Sequence, residues 1–183
     1  MPEAVAHDAQ SSEGRLRRLL DRQEILDCVH RYARGVDRHD HELIVSAYHP
    51  DAVHTRGEFS GTPAEFVNWV HERHQHRSLR HQHHITTHNV EFVDDNLAYA
   101  ETYFIASSVQ LSGGQLTLVG GRYVDRFERR DSVWRIADRV ALPEWQCAEG
   151  LEELHETQAE RDAITWDRSD LSYRRIARPR VNI

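Results

Sequence analysis

The order of patterned segments predicts an α+β fold. Two amphipathic helices, a short strand and a third helix come first, and four antiparallel strands follow. Three helices set against a strongly bent, mostly antiparallel sheet describe a cone-shaped α+β barrel enclosing an apolar pocket. The histidines say where to look for chemistry. Of the 14 in the chain, half lie between His71 and His88, where the first long strand begins.

Residues 1–11 (MPEAVAHDAQS) lack any apolar pattern and are expected to be disordered. Ser12 is suited to cap a helix whose first turn carries Glu13. From Arg15 to about Val36, Leu16, Leu19, Leu20, Ile25, Cys28, Val29, Tyr32 and Val36 recur in steps of three and four, the mark of an amphipathic helix. Gly35 and the polar RHDH run should end it near Asp37. A short second helix, Glu42 to Tyr48, is closed by His49-Pro50, since proline disfavours helical geometry in the residue before it. Asp51 to Phe59 reads as a strand and turn. Thr62-Pro63 opens a third helix, which buries Phe66, Trp69 and Val70 and runs to about His74.

The stretch from His81 to Tyr103 is a β-hairpin by composition. Its arms are rich in β-branched and aromatic residues, and Asp94-Asp95-Asn96 between them suits a tight turn with positive φ. Gln115 to Arg130 is the next strand, with a bulge or bend implied by Gly120-Gly121. Asp131-Ser132 turns the chain into the last strand, Val133 to Leu142. Beyond Pro143 the sequence is polar, with one possible helix at Ala148–Ala159 and too little apolar residue for a second domain. It is expected to be an arm over the pocket mouth or along a neighbouring subunit, anchored by Trp145, Leu151, Leu154, Trp166 and Leu171. The domain is therefore expected to occupy residues 12–145 and the arm 146–183.

With Lys+Arg 23 against Asp+Glu 30, the formal net charge is -7. An acidic chain without a basic stripe is not suited to nucleic acid or to an anionic membrane surface. No apolar run approaches the roughly 18 residues of a membrane span. The N-terminus lacks a signal-peptide core, and Cys28 and Cys147 share no local spacing. A reducing cytoplasm with free thiols is the expectation.

Several patches in sequence order resemble one family. Tyr32-x4-Asp37 ends the first helix, Tyr48-His49-Pro50-Asp51-Ala52 leads into the first strand, and a segment centred on His83 follows. Gly120-Gly121-Arg122-Tyr123 and Phe127-Glu128-Arg129-Arg130-Asp131-x-Val133-Trp134 complete the set. Over roughly Arg22 to Trp145 the chain resembles the SnoaL-like, nuclear transport factor 2-like superfamily, in its scytalone dehydratase-like branch. The resemblance implies a cone fold, a hydrophobic small-molecule substrate, no cofactor, and assembly into a homotrimer or a dimer. By position it also implies an Asp37–His83 dyad, an active-site Tyr32 and a substrate-binding Arg139. His84, one residue from His83, is the alternative place for the histidine. Counting back from Glu91-Phe92 favours His83.

The chemistry is consistent with that assignment. A carboxylate bonded to one ring nitrogen of a histidine sets its tautomer and makes the other nitrogen a stronger base. Because Tyr32 and Asp37 are roughly 140° apart on an ideal helix, both face one cavity only if the helix unwinds after Gly35. Arg139 shares parity with Val133 and Ala137, so its side of the sheet depends on local twist. His54 and Phe59 are expected as pocket wall. His74-x-His76 and His81-x-His83 have ligand-like spacing, but Arg73, Arg77 and Arg80 among them would repel a cation. No metal is expected, and His71, His74, His76 and His81 read as a solvated helix end and loop.

The function expected is a dehydratase-type lyase acting on a ring compound such as a steroid or polyketide. An isomerase or cyclase using the same base, and a non-catalytic ligand-binding domain, are the alternatives. Leu118, Val124 and Val133 would give the outer sheet face an apolar surface for a neighbouring subunit.

Overall fold

In a computed structural model, residues 11–112, 114–150 and 167–168 are described. The elements are α1 (Ser12–Arg38), α2 (His41–Ser46), β1 (Tyr48–Arg56), β2 (Phe59–Gly61), α3 (Pro63–Arg77), β3 (Ser78–Phe92), β4 (Leu97–Gln110), β5 (Gln115–Arg130) and β6 (Val133–Gly150). The strands form one curved, unclosed sheet in the order β2-β1-β6-β5-β4-β3. Only β1 and β6 pair in parallel; every other neighbour is antiparallel. The fold is the α+β cone expected from the sequence.

Local chemistry accounts for the element ends and corrects several of the expected ones. The cap of α1 is Ser11 rather than Ser12, its Oγ accepting from the Gly14 N–H at 2.9 Å. Gly35 does not unwind the helix. It lies so close to α2 that an added Cβ would sit 2.7 Å from Ile44 Cγ1, and α1 continues to Arg38 before His39 turns left-handed at φ 50°. Thr62 and Glu65 form a reciprocal capping box at the start of α3, with Pro63 as its first residue. The β3–β4 turn uses no positive φ. Asp94 Oδ1 instead accepts from the Asn96 and Leu97 N–H groups at 2.7 and 2.9 Å. Asp131 and Ser132 do take positive φ, 52° and 64°, as a two-residue hairpin requires.

The inner face of the sheet and the helices share one core. Ile25, Val29, Tyr32 and Val36 of α1, Phe66 and Val70 of α3, and Phe104, Tyr123, Phe127, Trp134 and Ile136 of the sheet belong to it. Trp134 joins the layers, donating from Nε1 to Asp21 Oδ1 at 2.9 Å. Leu16, Leu19 and Leu20, part of the same helical pattern, are 57 to 63% exposed, so the first turns of α1 leave their apolar side uncovered by the described residues.

The last strand does not stop at Leu142. β6 passes through Pro143 to Gly150 because the β5–β6 register shifts at Gly120/Gly121, leaving Glu144 without a partner across the ladder. Trp145 lies opposite Gly120, where only a missing Cβ leaves room for the indole. Residues 146–150, expected in the arm, are therefore strand, as are the first residues of the helix expected at Ala148–Ala159. The rest of that helix and Leu151, Leu154, Trp166 and Leu171 lie outside the described residues, as do residues 1–10. At Gly121 a Cβ would come within 2.3 Å of the Leu142 carbonyl and 2.9 Å of Pro143 Cα, both backbone atoms. Gly121→Ala is expected to lower stability by about 1–3 kcal/mol, measured by urea unfolding.

Candidate functional site

Asp37 lies in the last turn of α1 and His83 in β3, the strand at one edge of the sheet. The two side chains meet. Asp37 Oδ1 is 2.6 Å from His83 Nδ1, and Asp37 Oδ2 accepts from the His83 backbone N–H at 2.9 Å. Both are largely withdrawn from solvent, with side-chain exposures of 14% and 6%. The carboxylate holds the ring and its own backbone together. Nδ1 then carries the proton, and Nε2 is left as the basic nitrogen.

His83 borders two spaces. One is an open groove of about 320 Å³, shared with His30, Ala33, Arg34, Asp37, Arg38 and Ile85. The other is a more enclosed cavity of about 200 Å³ against α3, β3, β4 and β5. His84 is exposed on the opposite side of β3 and borders neither.

Tyr32, His54 and Phe59 do not line the spaces that His83 borders. Tyr32 is 1% exposed, within about 6 Å centroid to centroid of Tyr48, His54, Phe66 and Tyr123. Burial raises its hydroxyl pKa, so it stays protonated. Because α1 remains helical through Asp37, Tyr32 faces the core while Asp37 faces the groove. His54 stacks on Phe66 at 3.7 Å and shares a 2.8 Å hydrogen bond between Nδ1 and the Tyr48 hydroxyl. Burial, and then Arg139, hold its pKa well below the ordinary histidine value. Phe59 packs on Trp69 at 5.2 Å.

Arg139 is fully buried. It grips Asp125 through two bonds, Nε to Oδ1 at 2.7 Å and Nη2 to Oδ2 at 2.6 Å, with its guanidinium against the rings of Tyr32 and Tyr123. Its inward direction comes from a register shift at Arg126/Phe127, which places Ala137 as an extra residue in β6. Trp134 and Ile136 face in before the shift, and Arg139 and Ala141 after it. The pocket expected to be apolar is thus filled by its own aromatic side chains. The cavity beside His83 has mostly polar walls.

Of the histidines expected at a solvated helix end, His76 is exposed, but His71, His74 and His81 are not. His71 and His81 are buried; His39 stacks on His71 at 4.1 Å, and His74 lies 3.9 Å from His81. Burial, with neighbouring histidines adding to it, lowers His39 to about 3 and His71 to about 4 and pushes His74 and His81 down as well. His39, His74 and His81 each bring one ring nitrogen within 4.8 Å of the others. Tetrahedral zinc with histidine bonds of about 2.0–2.1 Å needs nitrogens roughly 3.4 Å apart, with in-plane lone pairs converging. Here the rings oppose one another by their faces, and Arg56, Arg73 and Arg77 share the cavity with His74 and His81.

A sequence profile of the SnoaL-like domain matches residues 17–140, and the chain belongs to that family. None of the curated proteins is significantly similar to it in sequence. Among solved structures it is similar to a hexachlorocyclohexane dehydrochlorinase, LinA-type3 from Novosphingobium barchaimii, with TM-score 0.67 and 24% identity over 78% of this chain and 97% of that one. It is also similar to a scytalone dehydratase candidate from Novosphingobium aromaticivorans, with TM-score 0.64 and 14% identity over 78% and 98%. A third is a protein of unknown function from Mycobacterium tuberculosis, with TM-score 0.61 and 19% identity over 69% and 73%. At these identities the likeness establishes the cone fold.

Two measurements follow from the histidine cluster. EDTA is expected to leave the melting temperature unchanged, and one equivalent of tightly bound zinc in the purified protein would contradict this. Acid is expected to destabilise the fold. Between the unfolded histidine value of about 6.5 and folded values of about 3 for His39 and about 4 for His71 and His88, the unfolded chain binds protons that the folded chain does not. Stability is therefore full above about pH 6.5 and falls below it, as urea midpoints at about pH 7.5 and about pH 5.5 would record.

Proposed function

We propose that the protein is a cofactor-independent lyase of the dehydratase type, acting on a small ring compound. The observation that carries this reading is the contact of Asp37 with both the ring and the backbone of His83 at the edge of a cavity. A ligand-binding domain has no need of a histidine oriented in this way. His83 Nε2 removes a proton from the carbon next to a carbonyl or similar activating group. The C–O bond on the neighbouring carbon then breaks, and the hydroxyl leaves as water on taking up the proton that His83 removed. Tyr32 and Arg139 are assigned to the layer behind the site, since both are buried and neither borders the spaces beside His83. His54 and Phe59 pack into the same layer.

The family match and the similar dehydrochlorinase and dehydratase folds support elimination chemistry. Subunit contact is assigned to the outer sheet face, where Val53, Tyr99, Val124 and Val140 are 40 to 48% exposed, and a trimer is the assembly proposed.

Incubation with hydroxylated ring compounds, followed by mass spectrometry for loss of water, tests the reaction. An isomer of unchanged mass would indicate isomerisation by the same base. His83→Ala and Asp37→Asn are each expected to reduce turnover by at least about 100-fold, with His84→Ala near wild type. Retention of turnover by both dyad variants would refute this base.

A further inference from the structure

The enclosed cavity beside His83 has an unusual charge for an acidic chain. Arg56 from the end of β1 and Arg73 and Arg77 from the last turns of α3 line it, while no aspartate or glutamate among the described residues does. Elsewhere the chain pairs its arginines readily. Arg18, Arg122, Arg126, Arg129, Arg130 and Arg139 all meet carboxylates. Among the described residues, Arg56, Arg73 and Arg77 have no such partner.

The three guanidiniums are close enough to repel. Partial burial lowers the pKa of Arg73, and the charges of Arg77 and then Arg56 lower it further. Its Cζ lies 5.7 Å from the centre of the Trp69 ring, which holds the side chain at this position. Like charges gathered there repel, and an anion placed among them reverses the sign of that interaction. Arg73 and Arg77 are exposed at the rim, whereas Ala106 and Val119 line the wall farther from the arginines in sequence and lie on the sheet with His83.

We propose that the substrate is an acid, bound by its carboxylate or phosphate group between Arg56, Arg73 and Arg77, with its ring portion toward Ala106, Val119 and His83. This rests on the reading of His83 as the base and adds the class of molecule delivered to it. Guanidinium forks suit both oxyanions, because each offers paired acceptor oxygens. Neutral ring compounds of the same size lack the group that the rim recognises.

Calorimetric titration of the full-length protein with benzoate, phenylphosphonate and benzamide tests the proposal. At least one anion is expected to bind about ten-fold or more tightly than benzamide, and the better of the two names the head group. The Arg73→Gln/Arg77→Gln double variant should bring that anion to within about two-fold of benzamide. Should the double variant fail to fold, the wild-type protein decides. Raising the salt to about 0.5 M should weaken anion binding and leave benzamide unchanged. Failure of both anions to bind, equal binding of benzamide, or an anion preference that survives salt or the double substitution overturns the proposal. The two readings fail separately. If the Asp37 and His83 variants keep their turnover while the anion preference holds, the base is wrong and the anion site stands.

Discussion

Arg139 and Asp125 face each other across β5 and β6, neither exposed to solvent, and the interior of the cone is built around them. Burial alone would pull the Arg139 guanidinium toward neutrality; the Asp125 carboxylate beside it overrides this and holds it charged. Tyr32 and Tyr123 pack on the guanidinium at 4.3 and 4.1 Å, bringing α1 and the sheet together against one cation. Tyr32 also touches Tyr48, His54 and Phe66, so the aromatic layer extends outward from the ion pair to α3. Such a pair stabilises only as a pair. Leaving Asp125 charged and alone would cost on the order of 3–5 kcal/mol.

That arrangement also explains how much of the molecule can be read from the sequence. The hydrophobic periods and turn residues are enough for the helices, the β3–β4 hairpin and the glycine bulge, because each depends on neighbours in the chain. The direction of Arg139 is not legible. It shares parity with Val133, yet Val133 faces out and Arg139 in, because Ala137 is an extra residue that no local signal marks. The end of β6 is misleading for a related reason. Pro143 looks like a strand terminator until Gly121 is seen opposite it, at a shift in the ladder that accommodates a residue with no N–H.

The candidate site divides in the same way. Asp37 and His83 are marked by family resemblance and chemical type, and the structure places them in contact. The histidine-rich stretch reads as solvated because polar residues at a helix end usually are. Here α3 runs to Arg77, and His71 and His74 fall on a face that meets His39 and His81. The polar character of the cavity has no signal in the sequence. Arg73 and Arg77 are one helical turn apart, but Arg56 is distant in the chain, and only the packing of α3 beside the end of β1 brings it to the same opening.

The neighbouring His83 and His84 have a consequence in the making of the fold. β3 is an edge strand held on one side only, where a slip of one residue costs the fewest ladder contacts. Such a slip would turn His83 outward and bring exposed His84 to the inside. The Asp37 contact alone does not forbid it, because His84 would offer the same N–H and ring. The slip would also carry Glu91 into the buried place of Val90, and that misplaced charge is what holds the strand in the register that presents His83.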